Sequence, residues 1–248
     1  MSEKILNIAD RTLTALVAFV LLVMAAYAAF ALWDNNRVYA AAQDVQQQML
    51  NLKPDGDRPS FDELLALNPD VCAWVTLDGT KVDYPVVQGS DNLEYLNKDV
   101  YGSFALAGSI FLDTRCDRNF GDAYSLLYGH HMADGSMFGS LDSYKDAQFF
   151  NDNATGTLLV PDGSYDLQVF ACLTVTASDD RIFDPTSWQA GNRGQLASYV
   201  RENALHVRSD VLDSLSGEAS PQVLALCTCS SDYTEARTVV LATMKARS

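Results

Sequence analysis

The sequence predicts a mostly β protein: a closed barrel of about eight strands with flanking helices, preceded by one N-terminal transmembrane helix. Three observations carry this prediction. Residues 13–33, LTALVAFVLLVMAAYAAFALW, form a run with no charge, Pro or Gly. At about 1.5 Å rise per residue, such a run crosses a bilayer core of about 30 Å. From Trp74 onward, short apolar runs alternate with turn signals. Few helical patterns lie between those runs, so the strands must pair with one another, and closure removes their open edges.

The anchor comes first. Lys4 and Arg11 precede it and Arg37 is the first basic residue after it. This charge bias points to a single pass with the N-terminus in and the bulk of the chain outside the cell membrane. A cleaved signal peptide is the rival, with Ala26-Tyr27-Ala28 or Ala29-Phe30-Ala31 as the cleavage site. Signal h-regions are usually shorter, so an uncleaved anchor is preferred. The chain then divides into a cytoplasmic tail (1–12), the anchor (13–33), a helical stalk or linker (34–60) and an extracytoplasmic domain (61–248).

Within the stalk, Ala, Val, Met and Leu recur at helical spacing as far as Leu52. "KPDGDRPS" (53–60) is a turn segment. "SFDELLALN" follows, with Ser60 as N-cap and Glu63 three residues on, a capping-box pattern. "WVTL", "DGT" and "VDYPVVQ" predict a hairpin turning at Asp78-Gly79. "GSIFLD" (108–113) and "YSLLYGH" (124–130) are further strand runs, and "GTLLVP" and "SYDLQVFACLTVTA" flank another turn between 156 and 177. Residues 187–208 have helical character, and His206 within them reads as structural or surface. "QVLALCTC" (222–229) and "RTVVLATMKA" (237–246) close the chain as strands.

Hydrophobic residues make up 48% of the 248 and charged residues 20%, the balance of a globular protein. Seventeen Lys+Arg against 32 Asp+Glu give a formal net charge of -15. Nucleic acid is thereby excluded as a partner, since phosphate binding needs a basic face. Five cysteines, an odd number, leave at least one thiol unpaired within an exported chain.

Cysteine-based nucleophilic catalysis needs a thiolate, a proton-transfer partner and a holder for the developing oxyanion. Cys229 ends one apolar run, Arg237 opens the next, and His130 ends a third. In a hairpin, Cys229 and Arg237 lie near each other, and a guanidinium there could hold a carbonyl oxygen. A blander reading of the same spacing is a buried thiol, a surface histidine pair and a solvated arginine. Cys227 shares a strand face with Cys229, about 6.6 Å away. That spacing is poor for a disulfide. A zinc site from Cys227, Cys229 and His130 lacks a convincing fourth ligand, so Cys227 reads as a groove-wall residue. Cys72, Cys116 and Cys172 read as buried or incidental thiols.

From about Phe61 to Ala246 the sequence resembles the class B sortases, cell-wall-anchoring transpeptidases of Gram-positive bacteria. The similar segments are "WVTLDGTKVDYPVVQGSDNLEYLN" (74–97), "GSIFLDTR" (108–115), "LYGHHMADGSMF" (127–138) and "LQVFACLTVT" (167–176), in order. The family's Thr-Leu-x-Thr-Cys signature stands here as Ala225-Leu226-Cys227-Thr228-Cys229, with Ala in place of the first Thr. The resemblance implies a sortase-type barrel over 61–248 and a membrane-anchored cysteine transpeptidase. That enzyme would cleave an Asn-Pro-x-Thr-like C-terminal sorting signal after Thr. It implies Cys229 as nucleophile, His130 as general acid/base and Arg237 as oxyanion or substrate-backbone partner. Asn92, Leu96, Ile182 and Cys227 match substrate-groove positions. The implied partners are a surface protein or pilin bearing the signal, and an acceptor amine from a peptidoglycan precursor or a pilin lysine. No metal or organic cofactor is needed. Hydrolysis by a thiol protease and a non-catalytic binding module are the remaining alternatives.

Overall fold

The computed structural model describes residues 2–54, 61–188, 190–217, 220–229 and 236–247. The chain forms two compact units, up to Ala41 and from Ala42. Helix α1 (Ser2–Leu50) runs through the first unit and into the second. In the first unit the large apolar side chains from Leu13 to Trp33 are exposed, including Phe19, Leu22 and Phe30. A helix this apolar and this bare is a candidate membrane span.

The second unit begins inside the segment expected as stalk. Met49, on the last turn of α1, is fully buried in a cluster with Phe61, Leu64, Val71, Trp74 and Phe111. Lys53 pairs with Asp83 at 2.7 Å. Gln46 donates to the carbonyls of Lys81 and Asp83. Residues 42–54 are thus part of the globular unit, because their apolar face covers one end of its core.

Around that core the elements follow in order: α2 (Asp62–Leu67), β1 (Val71–Leu77), β2 (Asp83–Val87), β3 (Ile110–Leu112), β4 (Tyr124–Gly129), α3 (Ala147–Asp152), β5 (Thr155–Val160), β6 (Gly163–Thr176), α4 (Asp180–Phe183), α5 (Arg193–Asn203), β7 (Ala204–Val207), α6 (Ser209–Ser214), β8 (Gln222–Cys229) and β9 (Ala236–Ala246). The strand order is β5-β1-β2-β3-β4-β8-β9-β6-β7, and a β5–β6 pairing closes eight strands into a barrel. β7 is a ninth strand, outside the ring on β6. Among the described residues only β2–β3 and β4–β8 run parallel. The predicted β1–β2 and β5–β6 hairpins are both present. Apolar alternation accounts for the closure: β5 has the burial pattern of a strand with one face inside and one outside.

Two local expectations need correction. The helical reading of 187–208 holds only to Asn203; His206 lies in β7, opposite Cys172 of β6. Pairing with the long edge of β6 overrides the local helical spacing, and the α5 stripe Leu196, Ala197, Tyr199 and Val200 ends where β7 begins. Helix α2 starts at Asp62 with Phe61 in the N-cap position and no side-chain cap. Ser60 lies outside the described residues. Burial of the Phe61 ring fixes the entry of this helix instead.

Candidate active site

The parallel β4–β8 pair and the antiparallel β8–β9 pair set the site. Tyr128 stands opposite Cys227 and Gly129 opposite Thr228. Cys229 stands opposite Arg237. His130, one residue past β4, is therefore level with the end of β8. The backbone brings His130, Cys229 and Arg237 to the ends of three neighbouring strands. There a cavity of about 250 Å³ opens, lined by Asn92, Leu96, Tyr128, His130, Cys227 and Arg237, with Phe111, Gly129 and Thr228.

His130 is held through its ring and its backbone. Its Nε2 lies 2.7 Å from the Leu96 carbonyl oxygen. A carbonyl only accepts, so Nε2 carries a proton and Nδ1 is the nitrogen left to exchange one. The His130 carbonyl accepts the Phe138 N–H at 3.1 Å. The neighbouring His131 turns to a different surface, where its Nε2 meets Asp142 at 3.1 Å. It is paired there with a carboxylate. Asp142 also accepts from Lys145 and from the Thr238 hydroxyl.

Asn92 and Leu96 come from the turn between β2 and β3. Asp91 Oδ1 accepts the N–H groups of Leu93 and Glu94 and opens a short 3-10 turn, Glu94–Leu96. Glu94 accepts from Ser90 and Lys98, and these bonds hold its carboxyl down at about 2. Asn92 donates to Asp113 at 2.9 Å and accepts the Thr114 N–H at 2.8 Å. This fixes its side chain against the end of β3. Ile182 is fully buried in α4 and does not line the cavity; its carbonyl accepts the Tyr124 hydroxyl at 3.1 Å. Its neighbour Phe183 stacks on Tyr128 of the cavity wall, at 6.4 Å between ring centroids.

Residues that the sequence did not single out complete the arrangement. Asp113 is fully buried and accepts from Asn92, Tyr128 and Arg115. Burial pushes its pKa up, but the Arg115 hydrogen bonds and charge outweigh this and hold it below the usual carboxylate value. Arg115 also donates to the Phe183 carbonyl and meets Asp184, tying the α4 segment to the cavity wall. Burial, with the Asp113 charge beside it, keeps the Tyr128 phenol protonated well above its ordinary range. The available signal was the alternation that puts Tyr128 two residues before His130. Long-range partners such as Asp113 carried none. Among the described residues no three His, Cys, Asp or Glu side chains converge as metal ligands.

The closed eight-stranded barrel and its relatives place the chain among the cysteine transpeptidases. The chain belongs to the sortase family: the sortase domain model matches residues 75–245. It is 31% identical to a sortase B of Staphylococcus aureus over 207 residues, 82% of each chain. A sortase B of Listeria monocytogenes is 31% identical over 183 residues, 74% of this chain and 73% of that one. Among solved structures, a Streptococcus pyogenes class B sortase involved in pilus biogenesis superposes with a TM-score of 0.68. That match is 36% identical and covers 75% of this chain and 97% of the other. Within the family, the chain is a class B sortase, a cysteine transpeptidase that anchors or polymerises surface proteins.

Proposed function

We propose that this enzyme cleaves an Asn-Pro-x-Thr-like C-terminal sorting signal after Thr and transfers the protein to an amine of the cell wall. The observation that carries the reading is the register of β4, β8 and β9, which supports a shared site for His130, Cys229 and Arg237. The Cys229 thiolate attacks the Thr carbonyl, and Arg237 donates to the oxyanion. As the intermediate collapses the C–N bond breaks, and His130 gives its proton to the leaving amine. The thioester is then attacked by the acceptor amine, which loses a proton to His130 and expels the thiolate. Asn92, Leu96 and Cys227 act as walls of the signal-binding groove. Ile182 contributes from behind, through α4 and Phe183. Residues 13–33 anchor the enzyme in the cell membrane with the N-terminus in, the segment after them leads outward, and the catalytic machinery of 61–248 is completed by residues 42–54 packed on its core.

A second reading is supported by the pilus-biogenesis role of the S. pyogenes neighbour: the acceptor is then a pilin lysine. Mass spectrometry after incubation with an Asn-Pro-x-Thr peptide tests both. The expected result is a covalent adduct on Cys229, absent in Cys229→Ala. Resolution by a peptidoglycan-type amine supports cell-wall anchoring, whereas resolution only by a lysine-bearing pilin domain supports polymerisation. No adduct with any sorting peptide overturns the proposal.

A further inference from the structure

The hydrogen bond that fixes the His130 tautomer ends on a backbone carbonyl, so whatever fixes that carbonyl fixes the imidazole. Leu96 lies in a segment clasped by the turn that leads into β3. Ser109 donates its N–H to the Tyr95 carbonyl at 3.1 Å and its hydroxyl to the Lys98 carbonyl at 2.8 Å. Tyr95 is buried, and its hydroxyl donates to Asp70 and accepts from Asn68. At the point of closest approach stands Gly108, with φ of +59°. A Cβ there would lie 2.5 Å from the Leu96 carbonyl oxygen and 2.8 Å from that of Tyr95. Both are backbone atoms, so no side-chain rotation relieves the clash.

We propose that Gly108 is a positioning residue for His130: its missing Cβ leaves room for the Leu96 carbonyl to accept from Nε2, which keeps Nδ1 free for proton transfer. The inference rests on the reading of His130 as general acid/base. A side chain at 108 pushes the acceptor away, and the imidazole then loses both its tautomer and its orientation. Turnover falls, and the Leu96 wall of the groove shifts with its carbonyl.

Gly102 supplies the matched control. It has φ of +78°, but an added Cβ there meets nothing within 4 Å. Gly102→Ala therefore carries the left-handed backbone strain without the contact.

The test uses the full chain in detergent micelles, 15N-labelled at histidine, with an Asn-Pro-x-Thr peptide and an amine acceptor. Gly108→Ala is expected to lower kcat about tenfold or more. The acid limb of its pH profile should move, and the His130 nitrogen shifts should show the Nε2-protonated form losing its dominance. Gly102→Ala should keep turnover and tautomer. Unchanged His130 nitrogen shifts in Gly108→Ala overturn the proposal, as does equal turnover of the two variants. If Gly108→Ala does not fold, Ser109→Ala loosens the same clasp and is read by the same criteria. His130→Ala that still turns over would sink the acid/base reading alone, and the nitrogen shifts of Gly108→Ala would still decide whether Gly108 sets the tautomer.

Discussion

Burial pushes the thiols of Cys72, Cys116 and Cys172 each up to about 12. Near neutral pH these buried thiols stay protonated, which makes them poor nucleophiles. Cys227 is buried as well, so a soluble thiol probe on the native enzyme should add once, at Cys229, and Cys229→Ala should abolish labelling; tryptic mapping reads the site. Fast modification of Cys72 would show that the core opens. Arg237 differs from a simple charge because its planar fork can donate to two acceptors at once. Arg237→Lys should lose turnover by about a hundredfold although charge is kept, in line with losing an oxyanion donor. Steady-state kinetics with the sorting peptide checks this, and near-normal turnover would mean that charge alone suffices. The adjacent histidines should separate cleanly. His130→Ala loses about 10²–10⁴-fold in turnover, whereas His131→Ala keeps turnover and loses about 1 kcal/mol or less of stability with its Asp142 pair. Paired kinetics and thermal melts of the two variants decide the assignment, and a dead His131→Ala beside a working His130→Ala overturns it.

Between elements, the Asp113 carboxylate is the joint. It connects the Asn92 turn, β3, β4 and, through Arg115, the α4 segment. Its folded-state pKa lies below the unfolded value, so its contribution is fully present at neutral pH. That contribution is lost as pH falls below about 4 toward the folded value, because the carboxyl then protonates more readily in the unfolded chain. Arg115→Ala should cost about 2 kcal/mol, less than the roughly 3–5 kcal/mol of a fully buried pair, since the Arg115 side chain is 43% exposed. It should also shrink the stability lost between pH 5 and pH 3, as read by urea melts at the two pH values. An unchanged acid response would remove Asp113 from this role.

The whole molecule divides where the packing divides, at Ala42. A chain of residues 42–248 is expected to fold and melt cooperatively. A chain of residues 61–248 loses Met49 from the core and Lys53 from Asp83, and should be less stable by at least about 2 kcal/mol. Equal melting temperatures for the two would show that residues 42–54 add nothing to the barrel.

Much of this protein was legible in one dimension. The apolar run 13–33, both hairpins and the last two strands follow from periodicity and turn residues, which are local properties of the chain. Strand runs that end at His130 and Cys229 and begin at Arg237 suggested one barrel mouth, and the roles of these residues came only with the resemblance to class B sortases. What the sequence left open needed partners far along the chain. Pairing with β6 made His206 a strand residue despite its helical neighbours. Packing against Phe61, Leu64 and Trp74 drew Met49 into the globular unit. The carbonyl of Leu96, 34 residues before His130 in the chain, holds its imidazole, and Asp113 gathers three separate segments. Propensity and alternation act within a few residues, whereas a buried carboxylate or an imidazole tautomer is set by atoms that only the folded barrel brings within hydrogen-bonding distance.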